Sequence, residues 1–287
     1  MKFSFFKESQ NSVGLSAIGR GLTSILTLLA PAVSTYIGHK MLLKPRGVRT
    51  YEFDNTLAHR EINIMTSTGI AHVNLFGSGE KIVLISHGWA DSSHSFQQMI
   101  LSLTNQGYLV AALDHIGHGK SSGNKAHLLS FIETMDLLLG KFHEERLQVE
   151  AIIGHSMGAF ATLNLPRYQL QGKKIILIST PVNFFESMFA KIERFGISRK
   201  LTQKLLDSIS RPYGIKWQQL ALEHNVDKLD LDITFIHDRL DKQAPFSDIK
   251  RLVETQSTSL IETEGLGHSR ILGDTNVIRN ISQVLFT

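Results

Sequence analysis

The stretch VEAIIGHSMGAFATLNL, from Val149 to Leu165, combines an apolar strand pattern, a Gly-x-Ser-x-Gly turn and a helical pattern. The turn, Gly154 to Gly158, is typical of a nucleophile elbow, in which a serine stands on a sharp bend between a strand and a helix. Side chains at the two glycine positions of such a bend would collide with the returning backbone. We therefore interpret Ser156 as a nucleophile, the alternative being a loop serine in a Gly-rich turn.

Short, continuously apolar runs recur on both sides of the elbow and predict buried strands. Parallel strands covered by helices on both faces have no polar face, so their sequences stay apolar throughout. An earlier stretch, Arg60 to Phe76, alternates apolar and polar residues and predicts antiparallel strands at the start of the sheet. The predicted buried strands are Lys81–Ser86, Leu109–Leu113, Val149–Ile153, Lys174–Ser179 and Ile233–Ile236.

Segments of helical period separate these strands, which predicts an α/β fold with a mostly parallel sheet and helices on both faces. From Pro181 to Asp230 no strand pattern occurs. We expect this segment, at about 181–230, to form a small helical cap inserted between two strands. The predicted helices are Phe96–Leu103, Leu128–Phe142, Gly158–Tyr168, Phe184–Phe195, Arg199–Ser208 and Ile215–Leu229.

The first 50 residues are predicted to be a helical extension of a catalytic domain that comprises residues 51–287. The segment Gly21 to Ile37 is apolar, but five hydroxyl residues and Pro31 interrupt it. It is also short for a bilayer crossing. We interpret Val13–Leu29 as an amphipathic helix that packs on the domain. A signal peptide and a peripheral membrane contact are the alternatives.

The composition is that of a globular protein, with 42% hydrophobic and 20% charged residues in a chain of 287. The 30 basic and 26 acidic residues include no long basic run, so we predict no nucleic-acid partner.

Cysteine is absent, which excludes disulfides, thiolate nucleophiles and cysteine-based metal sites. This absence favours a cytoplasmic protein, with export or membrane association through the N-terminal segment as the alternative. Nothing in the composition indicates an oligomeric state.

A serine hydroxyl needs a base to become nucleophilic, and a third group to orient that base. In this kind of fold the acid and then the histidine follow the serine along the chain. His268 lies in a glycine-flanked loop and is the only histidine after His237. Two aspartates follow the strand that ends at Ile236. We favour Asp241, whose position gives it reach toward the histidine loop, whereas Asp238 is expected to cap the turn.

Acyl transfer also needs N–H groups aimed at the developing oxyanion. We predict the backbone N–H of Met157, directly after the nucleophile, and that of Trp89, where Gly88 lets the chain face the site. The Trp89 ring either lines the substrate pocket or packs in the core. An apolar roof over the substrate is predicted from Phe184, Phe185 and Met188 of the cap, although such a stripe is also typical of a core.

Five motifs resemble, in order and spacing, those of the α/β-hydrolase superfamily over roughly residues 70–287: HGWADSSHSF, LDHIGHGKSSG, GHSMGA, FIHDRLDKQAP and TEGLGHSRIL. The pattern is most similar to stand-alone serine hydrolases of unassigned substrate. This resemblance implies an eight-stranded fold, a Ser-His-Asp triad and no cofactor. Dehalogenase and epoxide-hydrolase branches carry aspartate where Ser156 stands, so the resemblance disfavours those chemistries.

Four histidines, His87, His94, His115 and His118, come from adjacent loops and raise the question of a metal site. Zinc would require three such ligands. In proteins that resemble this chain, His87, His115 and His118 occupy turns with a structural role. We therefore predict no metal.

Taken together, these residues predict a serine hydrolase, with a small-molecule ester as its partner. We expect it to cleave carboxylic esters of small to medium acyl chains through an acyl-enzyme on Ser156. Thioesters and amides are alternative substrates. A ligand receptor or signalling protein with little turnover, built on the same fold, is the alternative from another functional class.

Overall fold

The computed structural model describes residues 13–46, 51–53, 59–256 and 258–286. Eight strands form one sheet: β1 (His59–Thr66), β2 (Gly69–Phe76), β3 (Lys81–Ser86), β4 (Leu109–Asp114), β5 (Gln148–His155), β6 (Lys174–Ile178), β7 (Ile233–Asp238) and β8 (Ser259–Thr263). Their order across the sheet is β1-β2-β4-β3-β5-β6-β7-β8. β2 pairs antiparallel with β1 and β4, and all other pairs are parallel. The predicted α/β class is confirmed.

Eleven α-helices lie within the described ranges. They are α1 (Val13–Leu29), α2 (Pro31–Leu42), α3 (Gln97–Asn105), α4 (Leu128–Glu144), α5 (Met157–Leu163), α6 (Arg167–Leu170), α7 (Phe184–Arg194), α8 (Arg199–Ser210), α9 (Phe246–Gln256), α10 (Gly267–Arg270) and α11 (Thr275–Phe286). The single helix predicted over Gly158–Tyr168 is wrong, since α5 ends before Pro166 and α6 begins after it. Proline lacks the N–H that would continue the helix, and it disfavours helical backbone at the residue before it.

The central strands β3, β4, β6 and β7 are buried on both faces because helices cover both. Val83 and Ile85 of β3 belong to an apolar cluster that also contains Met99 of α3 and Ile281 of α11. Successive strand residues point to opposite faces, so Leu84 points the other way. On that side α4 and α5 contact the sheet. This two-sided burial explains why the predicted parallel strands show no polar alternation.

Between Pro181 and Asp230 the described chain contains no strand, as predicted, but the helix expected over Ile215–Leu229 is wrong. The chain there forms three short 3-10 segments, Trp217–Leu220, Leu222–His224 and Val226–Asp230. Leu220 and Leu222 are both buried, although residues two apart lie on different sides of a helix. The extended backbone of Ala221, with φ −63° and ψ 145°, lets both side chains point inward.

The chain divides into two compact units. One comprises the described parts of Met1–Gly47 together with Asn183–His224, and the other comprises those of Val48–Val182 and Asn225–Thr287. The first unit therefore contains α1, α2, α7 and α8, and the second contains the sheet. The predicted division at residue 50 and the predicted role of the 181–230 segment as a cap stay predictions.

Within the first unit, α1 has the predicted bounds and contacts α2, α7 and α8. Small residues allow the close approach, since a Cβ added at Gly19 would lie 2.8 Å from the carbonyl oxygen of Gly196. The interior of this unit includes Phe189 and Trp217, whose rings meet at a centroid distance of 5.6 Å. None of the described helices is both long enough and apolar enough to cross a bilayer.

Truncating a central strand residue should destabilise the sheet unit. Leu84 is fully buried between strands on either side, so Leu84→Ala removes apolar contacts and leaves a cavity. We expect a loss of about 2–5 kcal/mol in the free energy of unfolding. Urea unfolding followed by circular dichroism measures it. Leu101→Ala, at a position 46% exposed on α3, is the matched control. Equal losses in both variants would contradict the proposed burial of β3.

Candidate active site

Ser156 occupies a strained turn between β5 and α5. Its backbone has φ 52° and ψ −115°, a conformation that residues with a Cβ rarely adopt. Flanking glycines make the turn sterically feasible, since a Cβ at Gly158 would lie 2.4 Å from the Ser86 carbonyl oxygen. A Cβ at Gly154 would lie 2.6 Å from the Ala159 Cα. The local sequence thus forces the serine side chain out of the turn, beyond the carboxyl end of β5.

Three segments bring Ser156, His268 and Asp241 together. The imidazole Nε2 of His268 lies 2.9 Å from the Ser156 Oγ, and its Nδ1 lies 2.7 Å from the Asp241 Oδ2. Because the carboxylate accepts from Nδ1–H, Nε2 is left as the acceptor for the serine hydroxyl. A hydroxyl held in this way can pass its proton to the imidazole while its oxygen attacks a carbonyl carbon.

Asp241 is buried and held in its ionised form. Its Oδ1 accepts hydrogen bonds from the backbone N–H groups of Gln243, at 2.7 Å, and Ala244, at 3.0 Å. Burial alone would raise the pKa of this carboxyl, but the hydrogen bond and charge of His268, together with the two N–H groups, hold the pKa below its usual value. The carboxylate therefore stays negative where it faces the imidazole.

Asp238, the other aspartate considered for the triad, accepts hydrogen bonds from two turns. Its Oδ1 accepts from the backbone N–H of Leu240 at 2.9 Å, which is the predicted capping of the turn after β7. Its Oδ2 accepts from the Thr263 hydroxyl at 2.9 Å and from the Leu266 N–H at 2.8 Å. Burial acts to raise the pKa of Asp238, but the backbone N–H group of Gly267, together with the three donors above, lowers it overall. The second set of bonds, which sequence reasoning did not anticipate, anchors the loop that leads to His268.

His155 is a further site residue that the sequence interpretation missed. Its Nε2–H donates to the backbone carbonyl of His268 at 2.8 Å, and its side chain is buried. Burial, and then the proximity of His268, lower the pKa of His155 to about 4. The neutral ring thus ties the residue before Ser156 to the histidine loop. Its place in the Gly-x-Ser-x-Gly motif was the only available signal.

The loop after β3 passes directly beside Ser156. A Cβ added at Gly88 would lie 2.9 Å from the Ser156 Cβ, so only glycine allows this approach. Trp89 follows Gly88, and its ring packs edge-on against His118 at a centroid distance of 5.6 Å. Met157 begins α5, where backbone N–H groups have no partner within the helix. Of the two predicted oxyanion donors, Met157 thus follows Ser156 in sequence, and Trp89 belongs to the loop that passes beside it. Their role in stabilising an oxyanion stays a prediction.

Buried histidines connect the neighbouring loops. The His118 Nε2 accepts from the Ala90 N–H at 3.0 Å, and the His87 Nε2 accepts from the His115 N–H at 3.1 Å. Burial, and then the neighbouring imidazoles, lower the pKa of His115 well below its usual value. Burial and then His87 lower that of His118 to about 3. No group of three or more His, Cys, Asp or Glu side chains within the described ranges is placed to hold a metal ion.

The other predicted substrate-binding residues belong to the first unit. Phe185 is buried there, with its ring 5.0 Å from that of Trp217. Phe184 and Met188 remain partly exposed. Packing against Trp217 is a sufficient reason for the apolar character of Phe185. A substrate-binding role for the three residues stays a prediction.

A family model described as serine aminopeptidase, S33, matches residues 77–273, which is more than half of the chain. The chain belongs to this family. The matched region contains Ser156, Asp241 and His268, and it excludes α1 and α2. The predicted resemblance to α/β-hydrolases is confirmed by this S33 membership.

Curated relatives of this S33 chain match only part of it. A monoacylglycerol lipase of Mycolicibacterium smegmatis is 35% identical over 81 residues, 27% of this chain and 29% of the relative. An epoxide hydrolase of Caballeronia sordidicola is 30% identical over 107 residues, 37% of this chain and 32% of the relative. The matches therefore span about a third or less of these relatives' lengths.

Solved structures resemble the S33 chain over most of its length. An esterase of Pyrococcus furiosus superimposes with a TM-score of 0.66 at 17% identity, covering 87% of this chain and 98% of the other. A monoacylglycerol lipase of Paleococcus ferrophilus gives a TM-score of 0.56 at 20% identity, covering 75% and 98% of the two chains. At these identities the likeness establishes the shared fold.

Removing the His155 donor should slow the reaction of Ser156 with a fluorophosphonate probe. His155→Phe keeps a ring but cannot bond the His268 carbonyl, so the histidine loop is less firmly placed. We expect labelling at least about tenfold slower, because a misplaced catalytic group can cost up to about a hundredfold. His155→Gln retains an N–H donor and should recover most of the rate. Equal loss in both variants, measured by mass spectrometry of the labelled protein, would refute the positioning role.

The buried neutral histidines should make the protein less stable in acid. His118 and His155 have folded pKa values of about 3 and 4, whereas an unfolded histidine titrates near 6.5. The unfolded chain therefore takes up protons first as pH falls, and the free energy of unfolding decreases from about pH 6.5 toward pH 4. Each such histidine contributes up to about 1.4 kcal/mol per pH unit.

Urea unfolding midpoints at pH 7.5, 6.0 and 5.0 measure this slope. His118→Gln should reduce the change in the free energy of unfolding with pH by the contribution of one buried histidine. His143→Gln, at an exposed position, should leave that change as in the wild type. An unaltered slope in the His118 variant would show that this imidazole takes up its proton over the same pH range in the folded and in the unfolded protein.

Proposed function

We propose that the protein is a serine hydrolase that cleaves carboxylic esters of small to medium acyl chains. The observation that supports this most is the hydrogen-bonded chain from Ser156 Oγ through His268 to the buried Asp241. Membership of a family described as serine aminopeptidase, S33, and relatives named lipase and esterase support the same chemistry. Peripheral membrane contact through the N-terminal helix is a separate prediction that this activity does not require.

In the proposed first step, the Ser156 Oγ attacks the carbonyl carbon of the ester while His268 Nε2 accepts the hydroxyl proton. The oxyanion so formed would accept hydrogen bonds from the N–H groups of Met157 and Trp89. His268 then returns the proton to the leaving alcohol as the C–O bond breaks. The product of this half-reaction is an acyl-enzyme on Ser156.

In the second half-reaction, His268 accepts a proton from a water molecule that attacks the acyl carbon. The carboxylic acid leaves and the proton returns to the Ser156 oxygen. Throughout, the imidazole carries positive charge only transiently, and the adjacent Asp241 carboxylate stabilises it. The lowered pKa of Asp241 suits this role, because a protonated carboxyl would not offset that charge.

Turnover of p-nitrophenyl acetate, butyrate and octanoate by the full chain tests the proposal. We expect multiple turnovers for the wild type, and a loss of about 10⁴-fold or more in kcat for Ser156→Ala, because the nucleophile is removed. Ser282→Ala, which truncates a serine on α11, is the matched control and should keep the full rate. Release of p-nitrophenol followed by absorbance gives the measurement.

No turnover with any of the three chain lengths would overturn the esterase proposal and favour the ligand-receptor alternative. Persistent turnover in Ser156→Ala would exclude Ser156 as the nucleophile. Reaction of Ser156 with a fluorophosphonate tests whether its hydroxyl is activated, whatever ester the protein prefers, because the probe requires only an activated serine.

A further inference from the structure

The two N-terminal helices expose their large apolar residues. Leu22 of α1 is 64% exposed, Leu29 is 81% exposed, and Tyr36 of α2 is 60% exposed. Contiguous exposed apolar surface on a protein usually marks a binding surface. We name the set the N-terminal apolar face; it consists of Ile18, Leu22, Ile25 and Leu29 on α1, and Val33 and Tyr36 on α2.

The opposite side of both helices is the one that packs. Thr27 of α1 and Ser34 of α2 are buried, and their hydroxyls donate to carbonyl oxygens of their own helices at 2.7 and 2.9 Å. Thr23 accepts from the backbone N–H of Ser198, beside α8. Amphipathic surface helices normally bury their large apolar residues and expose their polar ones. In α1 and α2 polar side chains are buried and large apolar ones are exposed. Packing within this unit therefore gives no reason for the apolar residues of the face.

The stretch of sequence that carries this face has charged residues of one sign, whereas the neighbouring helices α7 and α8 also carry acidic residues. The sequence contains no Asp or Glu between Glu8 and Glu52, whereas five Lys or Arg residues occur there: Arg20, Lys40, Lys44, Arg46 and Arg49. Arg20 lies on the packed side of α1, where its guanidinium donates to the Glu193 carbonyl. Lys40 lies on α2 with its Nζ 4.7 Å from the centre of the Tyr36 ring, and Lys44 is exposed just beyond the helix. Basic residues next to exposed apolar ones are complementary to anionic lipid headgroups above acyl chains.

We propose that the N-terminal apolar face binds the surface of an anionic lipid bilayer, with α1 and α2 lying in the plane of the interface. The spacing of Ile18, Leu22, Ile25 and Leu29 places all four along one stripe of α1. Tyr36 suits the interface, where its ring meets the acyl boundary and its hydroxyl meets water. A second copy of the chain is a poorer occupant, because a symmetric contact would bring like charges together.

Flotation of the full chain with phosphatidylcholine vesicles, with and without one-quarter phosphatidylserine, tests this proposal. We expect strong partitioning onto the anionic vesicles, and a decrease of about fivefold per basic residue in Lys40→Gln/Lys44→Gln, as expected for charges near an anionic surface. Leu22→Gln/Ile25→Gln/Leu29→Gln should lower partitioning at least tenfold. These side chains are exposed, so the substitutions should leave the fold intact.

Met65→Gln/Leu101→Gln/Leu137→Gln, which alters exposed apolar residues of the sheet unit, is the matched control and should partition like the wild type. Membrane binding does not require Ser156 to be catalytic, so circular dichroism and any turnover of a soluble ester serve as folding controls. Absence of wild-type binding to anionic vesicles would overturn the proposal. Binding of the Leu22→Gln/Ile25→Gln/Leu29→Gln variant to anionic vesicles as strongly as the wild type would also overturn it. A wild-type dimer in sedimentation that is lost in this variant, with no vesicle binding by either protein, would overturn it as well.

Discussion

The backbone of Ser156 is the constraint on which the site depends. A non-glycine residue with φ near 52° carries local strain, typically about 1–3 kcal/mol, that surrounding contacts must offset. The Ser156 N–H donates to the Ile178 carbonyl of β6 at 2.9 Å, and the Ser156 carbonyl accepts from Phe160 of α5 at 3.0 Å. The strained residue is thus held between the sheet and the helix that follows it.

The histidine loop is held at several points, and each contact serves the geometry around Ser156. Asp238 bonds the backbone before the loop, His155 bonds the His268 carbonyl, and Asp241 bonds the imidazole itself. Two of these three contacts reach the backbone and therefore do not depend on the protonation of His268. The imidazole can gain and lose a proton while its position stays the same.

Buried histidines also support the loops beside Ser156. Each imidazole offers one donor and one acceptor, and here the acceptors receive backbone N–H groups in the loops after β3 and β4. Burial keeps His115 and His118 uncharged by lowering their pKa values. Such rings provide rigid cross-links, but they do so at the expense of stability in acid.

The sequence by itself determined the strand and helix alternation, because two-sided burial requires apolar strands and a sharp turn requires glycine. It also indicated Ser156 and His268, since a motif and chain order identify them. The break at Pro166 has a local signal, because proline ends helices, but the apolar periodicity on both sides of it predicts one continuous helix. The break at Ala221 has no such signal. Tertiary structure alone decided the rest. The contacts of Asp238 with Leu266, and of His155 with His268, join residues 28 and 113 positions apart. No local pattern encodes such contacts, because they form only when the sheet brings the ends of β5, β7 and β8 to one edge.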